Sequence, residues 1–341
     1  MNRIRYEHTS RPKEGETMAM ADGITWLRMP LPMSLNHINL WLLRDSGGWV
    51  IVDTGVDIPA SRDVWRSTFA TAMRNEPATH VIATHLHPDH AGCAGWLVRE
   101  FDVDLWMTRE EYMLCRVLAG DTRDNVPEEA IRFYREAGFN DAQLALYRKN
   151  FGLFGKVVGE LPKSYRRMRD GERLTFAGQV WEVVVGRGHS PEHACLYDRD
   201  RNILISGDQI LPTISPNVSV WPTEPLADPL REWFESIDKL EKALPEDVLV
   251  LPAHGKPFRG AHVRLEQLRK EHTDNLDKLL ERLREPLRAV DVFDALFNSS
   301  INDGNRVMAT GEALSHLTYL RNTGDLLAEK DPQGVTWFRR T

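Results

Sequence analysis

Thr84-His85-Leu86-His87-Pro88-Asp89-His90 packs four candidate metal ligands, His85, His87, Asp89 and His90, into six residues directly after a short β-branched strand signal at Thr79 to Ala83. His85 and His87 are two apart, and Asp89 and His90 extend past them on a loop able to wrap. One set can therefore face one metal while the next pair faces a second. A solvated His-rich turn has a similar composition, but alternating His and Asp at the end of a buried strand favours ligation. Three later segments repeat the device. Gly188-His189-Ser190 follows the apolar run Val180 to Val185, Ser206-Gly207-Asp208 follows Asn202 to Ile205, and Ala253-His254-Gly255 follows Val248 to Pro252. In each, a metal-binding residue type stands just past a strand beside a glycine, which suits tight turns and ligands carried on loops of a rigid scaffold.

The elements that must position these residues read as two successive sets of strands and helices. His37 to Leu43 and Trp49 to Asp53 are strand-like around the turn Arg44-Asp45-Ser46-Gly47-Gly48. Pro59 to Asn75 and Ala91 to Glu100 have helical periodicity. From Leu105 to Arg169 the character turns helical, with Thr108 to Ala119, Pro127 to Ala137 and Asp141 to Asn150 and no strand signal among them, which predicts a helical insertion. Strands resume at Glu172 to Phe176, Val180 to Val185, Ala194 to Tyr197 and Asn202 to Ser206, then a helix at Pro229 to Ala243 leads to the strand Val248 to Pro252. This order suggests two stacked sheets with helices on the outer faces. Beyond Pro257 come a long charged helix, Ala261 to Arg284, shorter ones at Asp291 to Phe297 and Glu312 to Arg321, and a hairpin signal around Lys330-Asp331-Pro332-Gln333-Gly334. Helices followed by a two-stranded wing give a winged-helix-like outline. The expected organisation is an N-terminal extension at 1–22, a catalytic domain at 23–259 with the insertion at 105–169, and a helical C-terminal domain at 260–341.

The chain has 341 residues, long enough to bury a core without staples. Its net charge of −7 gives no global attraction to nucleic acid or an anionic membrane. Cys93, Cys115 and Cys195 are too few and scattered for a disulfide framework and suit a reducing, cytoplasmic compartment. The charged N-terminus does not read as a signal peptide, and no apolar run reaches the length of a membrane span.

With its HxHxDH motif at His85, His87, Asp89 and His90, followed by His189, Asp208 and His254 at intervals of 99, 19 and 46 residues, the sequence resembles the metallo-β-lactamase superfamily. The resemblance runs from about Gly23 to Arg259 and implies an α+β fold, the αββα sandwich. Carried over residue by residue, it implies that His85, His87 and His189 hold one metal, that Asp89, His90 and His254 hold a second, and that Asp208 bridges them. It also implies that Asp53, in Val52-Asp53-Thr54-Gly55, supports the ligand loops without binding metal. Five histidines and two carboxylates suit two zinc ions per chain, and iron or manganese would accept the same donors. The implied chemistry is attack of a metal-generated hydroxide on a carbonyl or phosphoryl centre, with Asp89 and Asp208 as the catalytic carboxylates and no separate nucleophile or organic cofactor.

A complete set including Asp208 resembles the glyoxalase II, lactonase and nuclease branches, and the C-terminal outline resembles the β-lactamase-like-protein-2 group. The favoured substrate is a small thioester, hydroxyacylglutathione- or acyl-CoA-like, ahead of a lactone. An endoribonuclease is the first alternative. From Gly260 to the end, however, 12 Lys and Arg face 13 Asp and Glu, so the C-terminal domain lacks the basic surface that reads nucleic acid. It is expected to pack on the sandwich or at a homodimer interface. A mononuclear iron persulfide dioxygenase is the second alternative, and would use only two His and one Asp. Aromatics of the insertion (Tyr112, Phe133, Tyr134, Tyr147, Phe151, Phe154) either line an acyl pocket or, for most, pack helix on helix. The basic run Lys163, Arg166, Arg167 and Arg169 either holds phosphates or is a solvated face. Ser34-Leu35-Asn36-His37 and the loop from Asn217 to Trp221 are candidates for the substrate face. Arg187 and Glu192, unusual beside the third site, have no assigned role.

Overall fold

Alternation along the strands decides the layering. In the strand from His37 to Asp45, Leu40 and Leu42 point to one face while Trp41 and Leu43 point to the other, and all four are buried. A strand buried on both faces must lie inside a layered structure. The computed structural model, which describes residues 3–8, 10–32, 35–121 and 125–341, shows four layers.

The first sheet runs in the order β1 (Thr17–Ala21), β2 (Ile24–Pro30), β3 (His37–Asp45), β4 (Gly48–Val52), β5 (Ala78–Ile82), β6 (Leu105–Met107) and β7 (Arg166–Arg167). The second runs β12 (Leu249–Pro252), β11 (Ile203–Gly207), β10 (His193–Asp198), β9 (Gln179–Gly186) and β8 (Arg173–Phe176). Between them lie Trp26, Trp41, Val50, Val52, Trp181, Leu196 and Ile205. The outer face of the first sheet is covered by α1 (Pro59–Ala70) and α3 (Ala94–Phe101) through Trp65 and Leu97. The outer face of the second is covered by α8 (Pro229–Ala243), on which α9 (Ala261–Arg282) and α11 (Arg306–Thr323) pack, with Trp233, Leu265 and Leu317 in one core. The expected αββα sandwich is the observed one.

The insertion differs from its sequence reading at both ends. Leu105–Met107 and Arg166–Arg167 are strands β6 and β7, so the segment leaves and re-enters the first sheet. At three and two residues they are too short for an alternation signal. Between them, α4 (Arg109–Gly120), α5 (Glu128–Glu136) and α6 (Asp141–Asn150) match the predicted helices, with a short α7 at Phe154–Val157. β1 likewise comes from the segment read as an N-terminal extension, where Thr17-Met18-Ala19-Met20 carries little β-branched signal. A short α10 (Phe293–Leu296) precedes the last helix, which begins at Arg306, six residues before its predicted start, and the hairpin β13 (Leu326–Lys330) and β14 (Thr336–Arg340) follows it.

The two sheets are tied along one edge. Ala194 N donates to Thr84 O at 2.9 Å, and Asn39 N donates to Ala253 O at 2.6 Å. The carboxyl ends of β4, β5, β9, β11 and β12 all lead into this edge, and every candidate ligand lies just beyond one of them.

Candidate metal centre

The turn after β5 carries His85 and His87 before a four-residue helix, α2 (Pro88–Ala91), lifts Asp89 and His90. His189 follows β9, Asp208 follows β11 and His254 follows β12. All seven predicted donors converge. One donor atom each from His85, His87, His189 and Asp208 lies within 4.8 Å of the others, and so do those of Asp89, His90 and His254. Asp208 faces both groups: Oδ2 is 3.5 Å from His189 Nε2, while Oδ1 is 3.5 Å from His90 Nε2 and 3.6 Å from His254 Nε2.

The imidazoles are held from outside. His90 Nδ1 is 2.8 Å from Asp53 Oδ2, His189 Nδ1 donates to Asn217 O at 2.8 Å, and His254 Nδ1 donates to His37 O at 2.8 Å. His85 Nδ1 lies 3.1 Å from Thr84 Oγ1. Each such contact leaves Nε2 facing inward, and outer partners of this kind fix the tautomer and orientation of a metal-binding His. The residues fit a metal: His90 Nε2, His189 Nε2 and Asp208 Oδ1 are buried without a hydrogen-bond partner, an arrangement whose desolvation cost a cation would relieve.

Electrostatics sort the donors. Burial, reinforced by His189, pushes His87 down to about 3, and burial with His90 and His87 nearby holds His85 well below its ordinary value. Both imidazoles are therefore neutral, and His85 Nε2 meets His87 Nδ1 at 2.8 Å. Burial also opposes charge on His90, but Asp53, Asp89 and Asp208 override it and raise its proton affinity. Burial works against ionising Asp208 and Asp89, yet the surrounding histidines hold both below the usual carboxylate range. Ionised carboxylates among inward-facing imidazole nitrogens form a pocket able to hold a cation.

Other sequence candidates take supporting places. Asp53 accepts from Thr84 N at 2.8 Å as well as contacting His90, so it braces the ligand loop as expected. His193 lies outside both groups: its Nε2 accepts from Asp208 N at 3.0 Å. His37 turns its ring edge-on to His254 at 6.3 Å between centroids, whereas Ser34 lies outside the described residues. Glu192 accepts from Glu110 N at 3.0 Å and lies 3.8 Å from Arg187, joining the His189 loop to the start of α4. Tyr112 stacks on Tyr165 at 3.8 Å, and Tyr134 packs with Phe133, Phe139 and Tyr147, so these aromatics serve helix packing. Arg166 pairs with Glu172 and lies over Trp106.

Two residues escaped the sequence reading. Glu111 is fully buried and takes Leu86 N at 2.9 Å, Ser190 Oγ at 2.6 Å and Glu192 N at 2.8 Å, clamping the His85 and His189 loops together. Burial pushes its carboxyl up to about 7 even though those three donors pull the other way. In sequence it looks like a first-turn helix acid. Asn39 donates to both Pro252 O and Gly255 O, at 2.9 and 2.8 Å, bracketing His254. Its signal was a lone Asn inside an apolar strand.

Residues 34–254 match the Metallo-beta-lactamase superfamily and residues 276–341 match the Metallo-beta-lactamase-like, C-terminal domain. A solved beta-lactamase domain protein from Burkholderia ambifaria superposes with a TM-score of 0.91 at 39% identity, covering 99% of this chain and 98% of that one. A metallo-beta-lactamase family protein from Thermus thermophilus gives 0.80 at 26% identity, covering 95% and 100%. Among curated relatives, the acyl-coenzyme A thioesterase MBLAC2 of Bos taurus is 27% identical over 251 residues, 70% of this chain and 81% of the relative. With its ligand loops gathered at one edge of an αββα sandwich and both segments matched, the chain belongs to the metallo-beta-lactamase superfamily as a metallo-hydrolase with that family's C-terminal domain.

Proposed function

We propose that this chain is a thioester hydrolase with two zinc ions per chain, one held by His85, His87 and His189, the other by Asp89, His90 and His254, with Asp208 shared. The observation that carries the binuclear reading is the orientation of Asp208, whose two oxygens face different histidine groups. Zinc at such a site supplies Lewis acidity toward a carbonyl oxygen and makes hydroxide available at neutral pH. The chain's own part is to arrange the reactants. Asp89 and Asp208 stay ionised, so they accept hydrogen bonds from water and fix its orientation toward a carbonyl carbon. Asp53, Asn217 and His37 hold the imidazole rings so that no reorganisation is needed when charge develops.

Likeness to an acyl-coenzyme A thioesterase over most of both chains supports a thioester as substrate, with a small acyl-CoA or acylglutathione as the class. The three cysteines are free and buried, which suits a reducing, cytoplasmic setting. Among the described residues no helix is long and apolar enough to cross a membrane.

The test is elemental analysis paired with a panel of acyl-CoA, acylglutathione, lactone and RNA substrates on one preparation. Two zinc per chain with thioester turnover, lost in Asp208→Ala, is the expected result. One iron per chain without hydrolysis would overturn it in favour of persulfide oxidation, and RNA cleavage without thioester turnover would move the activity to the nuclease branch.

A further inference from the structure

His189 is held by a loop that the C-terminal domain in turn holds. Its Nδ1 donates to the carbonyl of Asn217, which lies nine residues beyond Asp208. The Asn217 side chain is fixed at both ends: Nδ2 donates to Glu312 Oε2 at 2.7 Å, and Oδ1 accepts from Ser219 Oγ at 2.5 Å. Val220 N then donates to Gly311 O at 3.0 Å, on the same helix as Glu312. Gly311 permits the approach, because a Cβ there would come within 2.8 Å of the Ser219 side chain. Val218 packs into the same core as Ala313 and Leu317. The loop is thus seated on α11, within the segment that matches the C-terminal domain.

We propose that Glu312 is a positioning residue of the metal centre, acting from the C-terminal domain through Asn217 on the ring of His189. A carbonyl fixed in space fixes the Nδ1–H that donates to it, and so fixes where Nε2 points. Without the Glu312 acceptor, the Asn217 amide turns to solvent or to another partner and its carbonyl is free to drift. A drift of a fraction of an ångström matters, because His189 Nε2 stands 3.5 Å from Asp208 Oδ2 across the space a cation would fill. Outer hydrogen-bond partners of metal ligands are commonly worth about 10–100-fold in metal affinity. The C-terminal domain then has a function that its neutral charge balance did not suggest: it completes the site.

This inference rests on His189 being a metal ligand. The test uses full-length protein and zinc in competition with a chromophoric chelator, with thermal melts of each metal-free variant as a folding control. Glu312→Ala and Asn217→Ala are each expected to weaken one zinc by about 10–100-fold. The double variant should lose no more than either single one, and Glu312→Gln, which keeps an acceptor for Asn217 Nδ2, should restore binding. Wild-type zinc affinity in both alanine variants overturns the proposal, as do losses that multiply in the double variant. Should Glu312→Ala fail to fold, Asn217→Ala decides, since it lies outside the C-terminal domain and leaves α11 intact. Wild-type protein that takes up no zinc overturns the metal reading itself, a separate result from variants that bind as well as wild type.

Discussion

Asp53 Oδ2 stands 2.8 Å from His90 Nδ1, and both side chains are almost wholly buried. The other carboxylate oxygen, Oδ1, takes the backbone N–H of Thr84 at 2.8 Å. In Asp53→Asn the amide oxygen must stay on Thr84 N–H, which forces the NH2 toward His90. The ring then has to accept at Nδ1 and carry its proton on Nε2, pointing into the pocket. Asn tolerates the positive φ of 62° at this position, so the backbone gives no competing reason for failure. Asp53→Asn should fold normally and lose about 10–100-fold in affinity for one metal. Two tightly held zinc ions in this variant would show that the tautomer is not set by Asp53.

Glu111 clamps two ligand loops with one carboxylate, and three donors converge on it. Glu111→Gln keeps the shape but sets an NH2 against one of the three donors, leaving a buried donor unpaired. The expected cost is about 1–3 kcal/mol of stability, together with weaker binding at the site formed by His85, His87 and His189. Chemical denaturation and zinc competition on the same sample check both. A variant as stable as wild type would mean the loops are held mainly by their strands.

Gly188 sits at φ 98°, and a Cβ there would lie 2.6 Å from both Pro229 O and the Cβ of Trp233. Neither neighbour can yield cheaply, since one is backbone and the other anchors α8 in the core. Gly188→Ala should therefore displace the His189 loop and cost about 1–3 kcal/mol. A melting curve and metal content would register the change, and an unchanged value for both would refute the packing argument.

Much of this centre could be read from the chain because the ligand loops begin where strands end. His85 to His90, His189, Asp208 and His254 each follow an apolar run, and periodicity locates such runs well. The brackets around them are a different matter. Glu111 sits on a helix whose first turn carries acids for ordinary reasons, and Asn39 hides in a strand read only for its apolar alternation. The loop from Asn217 to Trp221 reads in sequence only as a candidate for the substrate face, and nothing local marks Glu312, because their pairing is a contact 95 residues apart in sequence. The short strands β6 and β7 were invisible for a related reason: pairing of β6 with β5 and of β7 with β6, not their own composition, makes them strands.

His272 and His316 supply a pH signature of the C-terminal packing. His272 Nδ1 lies 3.1 Å from His316 Nε2, and His316 Nδ1 donates to Glu312 O at 2.8 Å. Burial, with His316 alongside, pushes His272 down to about 3, and burial pushes His316 down to about 4. Both are therefore neutral in the fold, whereas in the unfolded chain they take up protons below about 6.5. The unfolded state then binds more protons, so stability falls as pH drops from about 6.5 toward 4, by roughly 1.4 kcal/mol per pH unit for each histidine. Glu111 and Glu312, both raised to about 7, favour the fold over part of the same range. The comparison to make is therefore wild type against His272→Gln, in which those carboxyls are common to both. Gln can hydrogen-bond to His316 without becoming charged. Denaturation at pH 7.5 and pH 5 should show the variant losing less stability than wild type on acidification, by about 2 kcal/mol, the share of one histidine. Equal losses in the two proteins would mean that water reaches the pair and that α9 and α11 open before the rest of the fold.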